Sequence, residues 1–268
     1  MGDQGKLQGK VALVTGSGTG LGQEMALEFA REGADVVAHY SKSAKGAHEV
    51  VAAIEAMGRQ SVALQADLGE APACFDLVDR AVSFLGGIDI LVNNAGISAT
   101  EGFFEVTPER FDRLYQVNTR GQFFCAQRAA QHMVEQGRRG RIINVTSSHA
   151  VSSLPGFSVY AGTKGAIWSW TRQLAVELAP QGIRVNGLCP GWVVVDSHYR
   201  ETPGFDPIAL GAHIPYQRLG IPADVAKASV FLASDDSDYL VGHVMIVDGG
   251  LLAKLALPDH GREKSDLA

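Results

Sequence analysis

Cysteine is scarce: Cys74, Cys125 and Cys189 are the only three in 268 residues. They are odd in number, far apart and outside any C-x-x-C spacing, which argues against a disulfide framework or a zinc site and fits a reducing cytoplasm. Long apolar runs are missing as well, none reaching the ~18 residues that a membrane span needs. Residues 1–10 are polar and glycine-rich, with no apolar core of the kind a secretion signal carries. Neither export nor a membrane partner is expected. Positive charge is not in excess, since 23 Lys and Arg stand against 29 Asp and Glu for a net charge of −6. Such a surface has no field to gather nucleic acid or anionic lipid. No repeat of solenoid length runs through the chain.

What is there is a globular composition, 46% apolar and 19% charged, long enough to bury one large α/β core. We expect a single domain over residues 1–268, its core at about 9–250 and a polar tail at 259–268. Apolar, β-branched runs at 11–15, 36–40, 61–65, 88–92, 141–146, 184–189 and 243–247 read as strands. Segments 21–31, 44–57, 73–85, 109–136, 159–178 and 223–233 read as helices. Regular alternation of the two implies right-handed crossovers and a doubly wound Rossmann-type sheet of about seven parallel strands flanked by helices. The stretch 191–222 is too long for an ordinary connection and reads as a lid over substrate.

The first strand runs into Thr15-Gly16-Ser17-Gly18-Thr19-Gly20-Leu21-Gly22. Glycines there permit positive φ and let phosphate oxygens approach backbone N–H groups at a helix start. Gly16, Ser17, Thr19, Gly20 and Leu21 are therefore cofactor-binding candidates. No acidic residue ends the second strand to hold a ribose diol. Instead Tyr40-Ser41-Lys42 follows His39, and Lys42, Ser41 and Ser17 together suit a 2′-phosphate. NADP is the preferred cofactor on this reading, with NAD as the second option and a solvated surface lysine as the plain alternative for Lys42. Asp67 and Leu68 stand where an adenine amine would be met, although an aspartate there also suits a helix N-cap. Asn94, Ala95 and Gly96 close the fourth strand with small residues that fit a backbone lying flat beside a ribose.

Tyr160 precedes Lys164 by four residues, one helical turn, so the ammonium falls beside the phenol. A free tyrosine titrates near ~10, and a neighbouring cation is the usual way to make its anion accessible. Ser147 follows the apolar strand at 141–146 and so sits at its carboxyl end, the edge at which open α/β sheets bind ligands.

With these residues in place, the chain resembles the short-chain dehydrogenase/reductase family over roughly residues 9 to 250. The motifs occur in order: the glycine turn, Asp67, Asn93-Asn94-Ala95-Gly96, Asn118, Ser147, Tyr160-x-x-x-Lys164 and Pro190-Gly191. The resemblance implies hydride transfer between a nicotinamide cofactor and an alcohol or ketone. Tyr160 would be the general acid/base, Ser147 would bond the reacting oxygen, Lys164 would lower the phenol pKa and hold the ribose, and Asn118 would anchor a proton-relay water. Read alone, Asn118 is a polar residue inside a helix. Pro190, Gly191 and Val193 would meet the nicotinamide. Val195 stands where the family commonly has threonine, leaving the backbone N–H groups of Val193 and Val195 for the carboxamide. Within the family, the glycine turn, the 36–40 segment and Ser147-Ser148-His149 look most like bacterial aldose 1-dehydrogenases of the glucose type. Ser98, His149, Trp192 and His198, with Tyr199 and His213, are candidate lining for a polar pocket suited to a sugar or polyol. Reduction of 3-oxoacyl thioesters and a non-catalytic nucleotide sensor are the alternatives. A homotetramer or homodimer is implied, with Trp168, Trp170 and the apolar run 251–257 as candidate contacts.

Overall fold

The computed structural model describes residues 5–254. The tail at 259–268 and the end of the apolar run reaching residue 257 lie outside the described residues. Seven strands form one parallel sheet in the order β3-β2-β1-β4-β5-β6-β7: β1 (Val11–Val14), β2 (Asp35–Tyr40), β3 (Ser61–Gln65), β4 (Ile90–Asn93), β5 (Arg141–Val145), β6 (Arg184–Pro190) and β7 (Val244–Val247). This is the expected doubly wound fold.

Side-chain alternation along the central strands builds a core on each face. Ala12, Val14, Val36, Ala38, Ile90, Val92, Ile143 and Val145 point to one layer. There they meet Met25 and Phe29 of α1 (Gly20–Arg31) and Val225 and Val230 of α9 (Pro222–Ala233). Leu13, Val37, Leu91 and Ile142 point to the other, against Leu77 and Val78 of α3 (Ala71–Leu85) and Ala126 and Met133 of α5 (Gln122–Glu135). Strand order reverses at β1, which pairs with β2 on one side and β4 on the other, Leu13 lying opposite both Val37 and Leu91. That reversal opens a crevice at the carboxyl ends of β1 and β4.

Two segments differ from the sequence reading. The single helix expected over 109–136 is α4 (Pro108–Tyr115), a π-turn (Gln116–Gly121) and then α5. At the π-turn Asn118 exchanges hydrogen bonds with both backbone groups of Ile97, a contact that no local helical pattern encodes. The segment 191–222, read from the sequence as a lid, contains two short helices, α7 (Asp196–Glu201) and α8 (Pro207–Gly211). Asp206 caps the second by accepting from the N–H groups of Ile208 and Ala209. The remaining helices are α2 (Ala44–Ala56) and α6 (Ser158–Leu178).

Phe29 is fully buried between α1 and the sheet. Phe29→Ala is expected to cost about 3–5 kcal/mol in urea unfolding; a loss under 1 kcal/mol would show that this layer does not close the core.

Candidate active site

The nucleotide turn is held by crowding. Gly16 has φ +68°, and a Cβ there would lie 2.9 Å from the Ala95 Cα; one on Gly22 would lie 2.3 Å from the Gly16 carbonyl oxygen. Thr15 Oγ1 donates to the Val92 carbonyl at 3.0 Å and accepts from the Asn94 and Ala95 N–H groups. Asn94 Nδ2 donates back to the carbonyls of Thr15 and Gly16. The Thr19 side chain makes no capping bond at the start of α1, and no acidic residue lies in its first turn. The positive end of that helix therefore stays open to phosphate.

His39 was passed over by the motif reading, yet it organises this turn. Nδ1 accepts the Gly16 N–H at 3.0 Å and Nε2 donates to the Ala66 carbonyl at 3.1 Å. The ring is 1% exposed, and burial lowers its pKa to about 4, so it serves as a neutral spacer between the ends of β1, β2 and β3. Its parity with Val37 on β2 was the available signal, because that face is inside.

Ser17 corrects an expectation. Its side chain is fully buried, its hydroxyl donates to the carbonyls of Val14 (2.9 Å) and His39 (3.3 Å), and its N–H also goes to His39. It holds the turn and has nothing to offer a 2′-phosphate. Ser41 and Lys42 are exposed beside half-buried Tyr40. Asp67 is not a helix N-cap, since Glu70 occupies that place on α3. Burial would raise its carboxyl, but the Gly69 N–H, the Arg113 guanidinium and the Lys42 charge outweigh that and hold it below the usual range. Leu68 is buried as a whole, and its carbonyl accepts from the Cys74 thiol.

At the other end of the crevice, the Ser147 hydroxyl lies near the Tyr160 phenol and accepts the His149 N–H at 3.2 Å. Burial raises the phenol pKa, and the nearby Ser147 hydroxyl draws it partly back. Lys164 Nζ lies 5.7 Å from the Tyr160 ring centroid and donates to the Val145 carbonyl at 2.9 Å. The lysine is 3% exposed, and burial lowers its pKa to about 8. Thr146 Oγ1 bonds the Lys164 carbonyl at 2.9 Å, which docks α6 on the end of β5. Asn118 Nδ2 reaches Thr163 Oγ1 at 3.1 Å as well as Ile97. Its side chain is thus a clamp between the Gly96 loop and α6. A Cβ on Gly96 would sit 3.2 Å from Asn118 Oδ1 and 3.6 Å from Lys164 Nζ.

Of the substrate candidates, His149 alone packs on the tyrosine. Its ring stacks on Phe157 at 4.6 Å and meets Tyr160 edge-on at 5.7 Å, and its buried Nδ1 has no partner. Ser98, Trp192 and His213 are exposed, and His198 packs against Phe205. Pro190 ends β6, and the Gly191 N–H is bonded to the Val247 carbonyl. Val193 bridges to Gly220 across the 191–222 segment. The Val195 N–H, expected to be free for a carboxamide, points at His198 Nδ1 at 3.4 Å, and its Cγ1 would lie 3.3 Å from a Cβ on Gly20. Cys189 was missed as well: it lies near both Tyr160 and Lys164. Burial and Asp248 push its thiol up to about 12, so it is an inert wall. Among the described residues no cluster is placed to hold a metal ion, and no helix is long and apolar enough to cross a membrane.

A family model described as enoyl-(acyl carrier protein) reductase matches residues 16–252. A short chain dehydrogenase of Claviceps purpurea is 42% identical over 259 residues, covering 91% of this chain and 96% of the relative. The chain belongs to the short-chain dehydrogenase/reductase family. Tetrahydroxynaphthalene reductase of Pyricularia oryzae is 37% identical, covering 91% and 90% of the two chains. Versicolorin reductase of Emericella nidulans is 38% identical, covering 92% and 97%. A short chain dehydrogenase of Burkholderia cenocepacia, solved with NADP, superposes with a TM-score of 0.84 at 37% identity, covering 92% of this chain and 99% of that one. This short-chain dehydrogenase/reductase is thus an oxidoreductase of the nicotinamide-dependent kind.

The neutral state of His39 sets a pH signature. Its folded pKa of about 4 lies below the unfolded ~6.5, so the unfolded chain takes the proton first. Stability from this group is complete above pH ~6.5 and is lost as pH falls toward 4, by up to about 3 kcal/mol. Urea unfolding of the wild type and His39→Asn at pH 7 and pH 4.5 is expected to show a smaller acid loss in the variant. Equal losses would contradict the role.

Proposed function

We propose that this enzyme reduces a ketone in or beside an aromatic ring system, using NADPH. The observation that carries the reading is the Tyr160 phenol, with Ser147 beside it, backed by Lys164 and walled by the rings of His149 and Phe157. A phenol whose pKa is raised keeps its proton until charge develops on the substrate, which suits a general acid. Apolar and aromatic groups stand exposed on neighbouring segments, among them Leu154 at 58% and Trp192 at 39%. They favour a flat apolar ring over a hydrated sugar, and the names of the naphthalene and versicolorin reductases point the same way.

A reduced nicotinamide supplies the hydride when bound. The chain's own groups do the rest. Ser147 and Tyr160 hydroxyls hold the carbonyl oxygen, Tyr160 donates its proton as that oxygen becomes an alkoxide, and Lys164 stabilises the phenolate left behind. The glycine turn, Thr19, Gly20 and Leu21 would cradle the pyrophosphate, and Asn94, Ala95 and Gly96 would flank the ribose with Lys164. Ser41 and Lys42 would receive the 2′-phosphate, which is why NADP is placed ahead of NAD.

A second reading, oxidation of a sugar or polyol, is favoured by the unpartnered Nδ1 of His149, which a hydroxyl would satisfy. The carrier-linked thioester reading has less support, because Arg218 is paired with Asp224 and Arg120 is bonded to the Gly69 carbonyl. For the oligomer, Trp170, Phe123 and Tyr115 line an open groove of about 480 Å³ suited to a second subunit, and cytoplasmic residence remains part of the proposal.

Initial rates with NADPH and NADH against bicyclic aromatic ketones and 3-oxoacyl thioesters, and with NADP⁺ against aldoses and polyols, test the assignment. Turnover of the aromatic ketones with NADPH preferred is expected; turnover of aldoses alone would replace it with the sugar reading. Tyr160→Phe is expected to lower kcat by ~10²–10⁴-fold while NADPH binding, read by fluorescence, persists. Retained turnover would remove Tyr160 from the chemistry.

A further inference from the structure

Asp67 is gripped from across the crevice by the helix that carries Asn118. Arg113 of α4 places a single nitrogen, Nη2, 2.9 Å from each carboxylate oxygen of Asp67. Asp67 Oδ1 also accepts the Gly69 N–H at 2.9 Å. Seven residues further along the same helical run, Arg120 donates to the Gly69 carbonyl. The turn is shaped for these cations: a Cβ on Gly69 would lie 2.0 Å from Arg113 Nη1. Each carboxylate oxygen accepts two hydrogen bonds. Oδ1 is filled by Gly69 and Arg113, while Oδ2 is bonded to Arg113 and keeps one lone pair. Both side chains are partly open, at 44% for Asp67 and 38% for Arg113, so that lone pair is reachable from the crevice.

An ordinary surface ion pair would have no such consequence and would contribute little. Here the pair sets the direction in which the remaining acceptor points. We propose that Arg113 is a positioning residue for the nucleobase: it locks Asp67 so that its one free acceptor meets an exocyclic amine, and thereby selects adenine over a base bearing an oxo group there. The proposal rests on the reading that a dinucleotide's base lies against Asp67. An oxo group in place of the amine has no proton to give and sets oxygen against carboxylate. The grip also joins the base to the chemistry, because α4 continues through the π-turn to Asn118 and its bonds to Ile97 and Thr163.

The test compares NADPH with its hypoxanthine analogue, in which the amine is replaced by an oxo group, as cofactors for the wild type, Arg113→Ala and Arg113→Gln. A hydrogen bond to a charged group corresponds to a KM preference of ~10-fold or more for the adenine form in the wild type. In both variants that preference is expected to fall to about twofold, on the same order as experimental scatter in additive effects, with the change falling on KM for NADPH rather than on kcat. A purely structural role would raise both KM values together and leave their ratio intact, and that result would overturn the proposal while leaving the base at Asp67. Equal KM values in the wild type would overturn the placement of the base itself, and the proposal with it. Arg113→Gln guards against a variant that fails to fold, since it keeps a polar, planar side chain on α4 while being too short to grip Asp67.

Discussion

A buried ammonium organises the catalytic end of this molecule. Lys164 is 3% exposed and has one backbone acceptor, the Val145 carbonyl. Removing a cation from water is unfavourable unless partners replace the lost hydration, and its pKa near 8 shows that the replacement is incomplete. That deficit is useful. A phenolate forming on Tyr160, whose ring centroid is 5.7 Å from Nζ, meets that positive charge, which offsets part of the cost of burying the phenolate left by proton donation. Keeping the lysine dry requires β5, α6 and the Gly96 loop to close around it, and the Thr146 and Asn118 bonds hold those pieces together.

The nucleotide end is tied to the catalytic end by backbone contacts at the β1–β4 switch. Thr15 and Asn94 exchange hydrogen bonds across the two strand ends, and two residues later Gly96 lies beside Asn118 and Lys164. One short segment therefore touches the glycine turn at one end and the lysine at the other. His39 fixes the turn from the opposite side through the Gly16 N–H. Small residues at these positions are a packing requirement, since added carbons would meet backbone or the asparagine at about van der Waals contact or closer.

The strands and most helices were legible because their signals are local: β-branched runs of four to seven residues and helical apolar periodicity. Ser147, Tyr160 and Lys164 were legible because a helical turn and a strand end are enough to place them. The π-turn was not, since Asn118 there bonds Ile97 and Thr163, far away in sequence. Ser17 read as a phosphate ligand because composition marks a turn without telling which way each side chain points. His39 and Cys189 carry no motif, and only the packing of neighbouring strand ends gives them their roles. The helices α7 and α8 are a few residues each, below the length at which periodicity becomes visible.

The most direct check on the central claim, that Tyr160 is held as a protonated acid in the cofactor-free enzyme, is an ultraviolet tyrosinate titration of the wild type minus Tyr160→Phe. Expected is a difference signal that rises only above the ordinary tyrosine value of ~10, in keeping with burial raising this phenol. A Tyr160 signal complete by neutral pH would mean that the phenolate exists before any substrate arrives, and the acid role argued from its burial would be wrong.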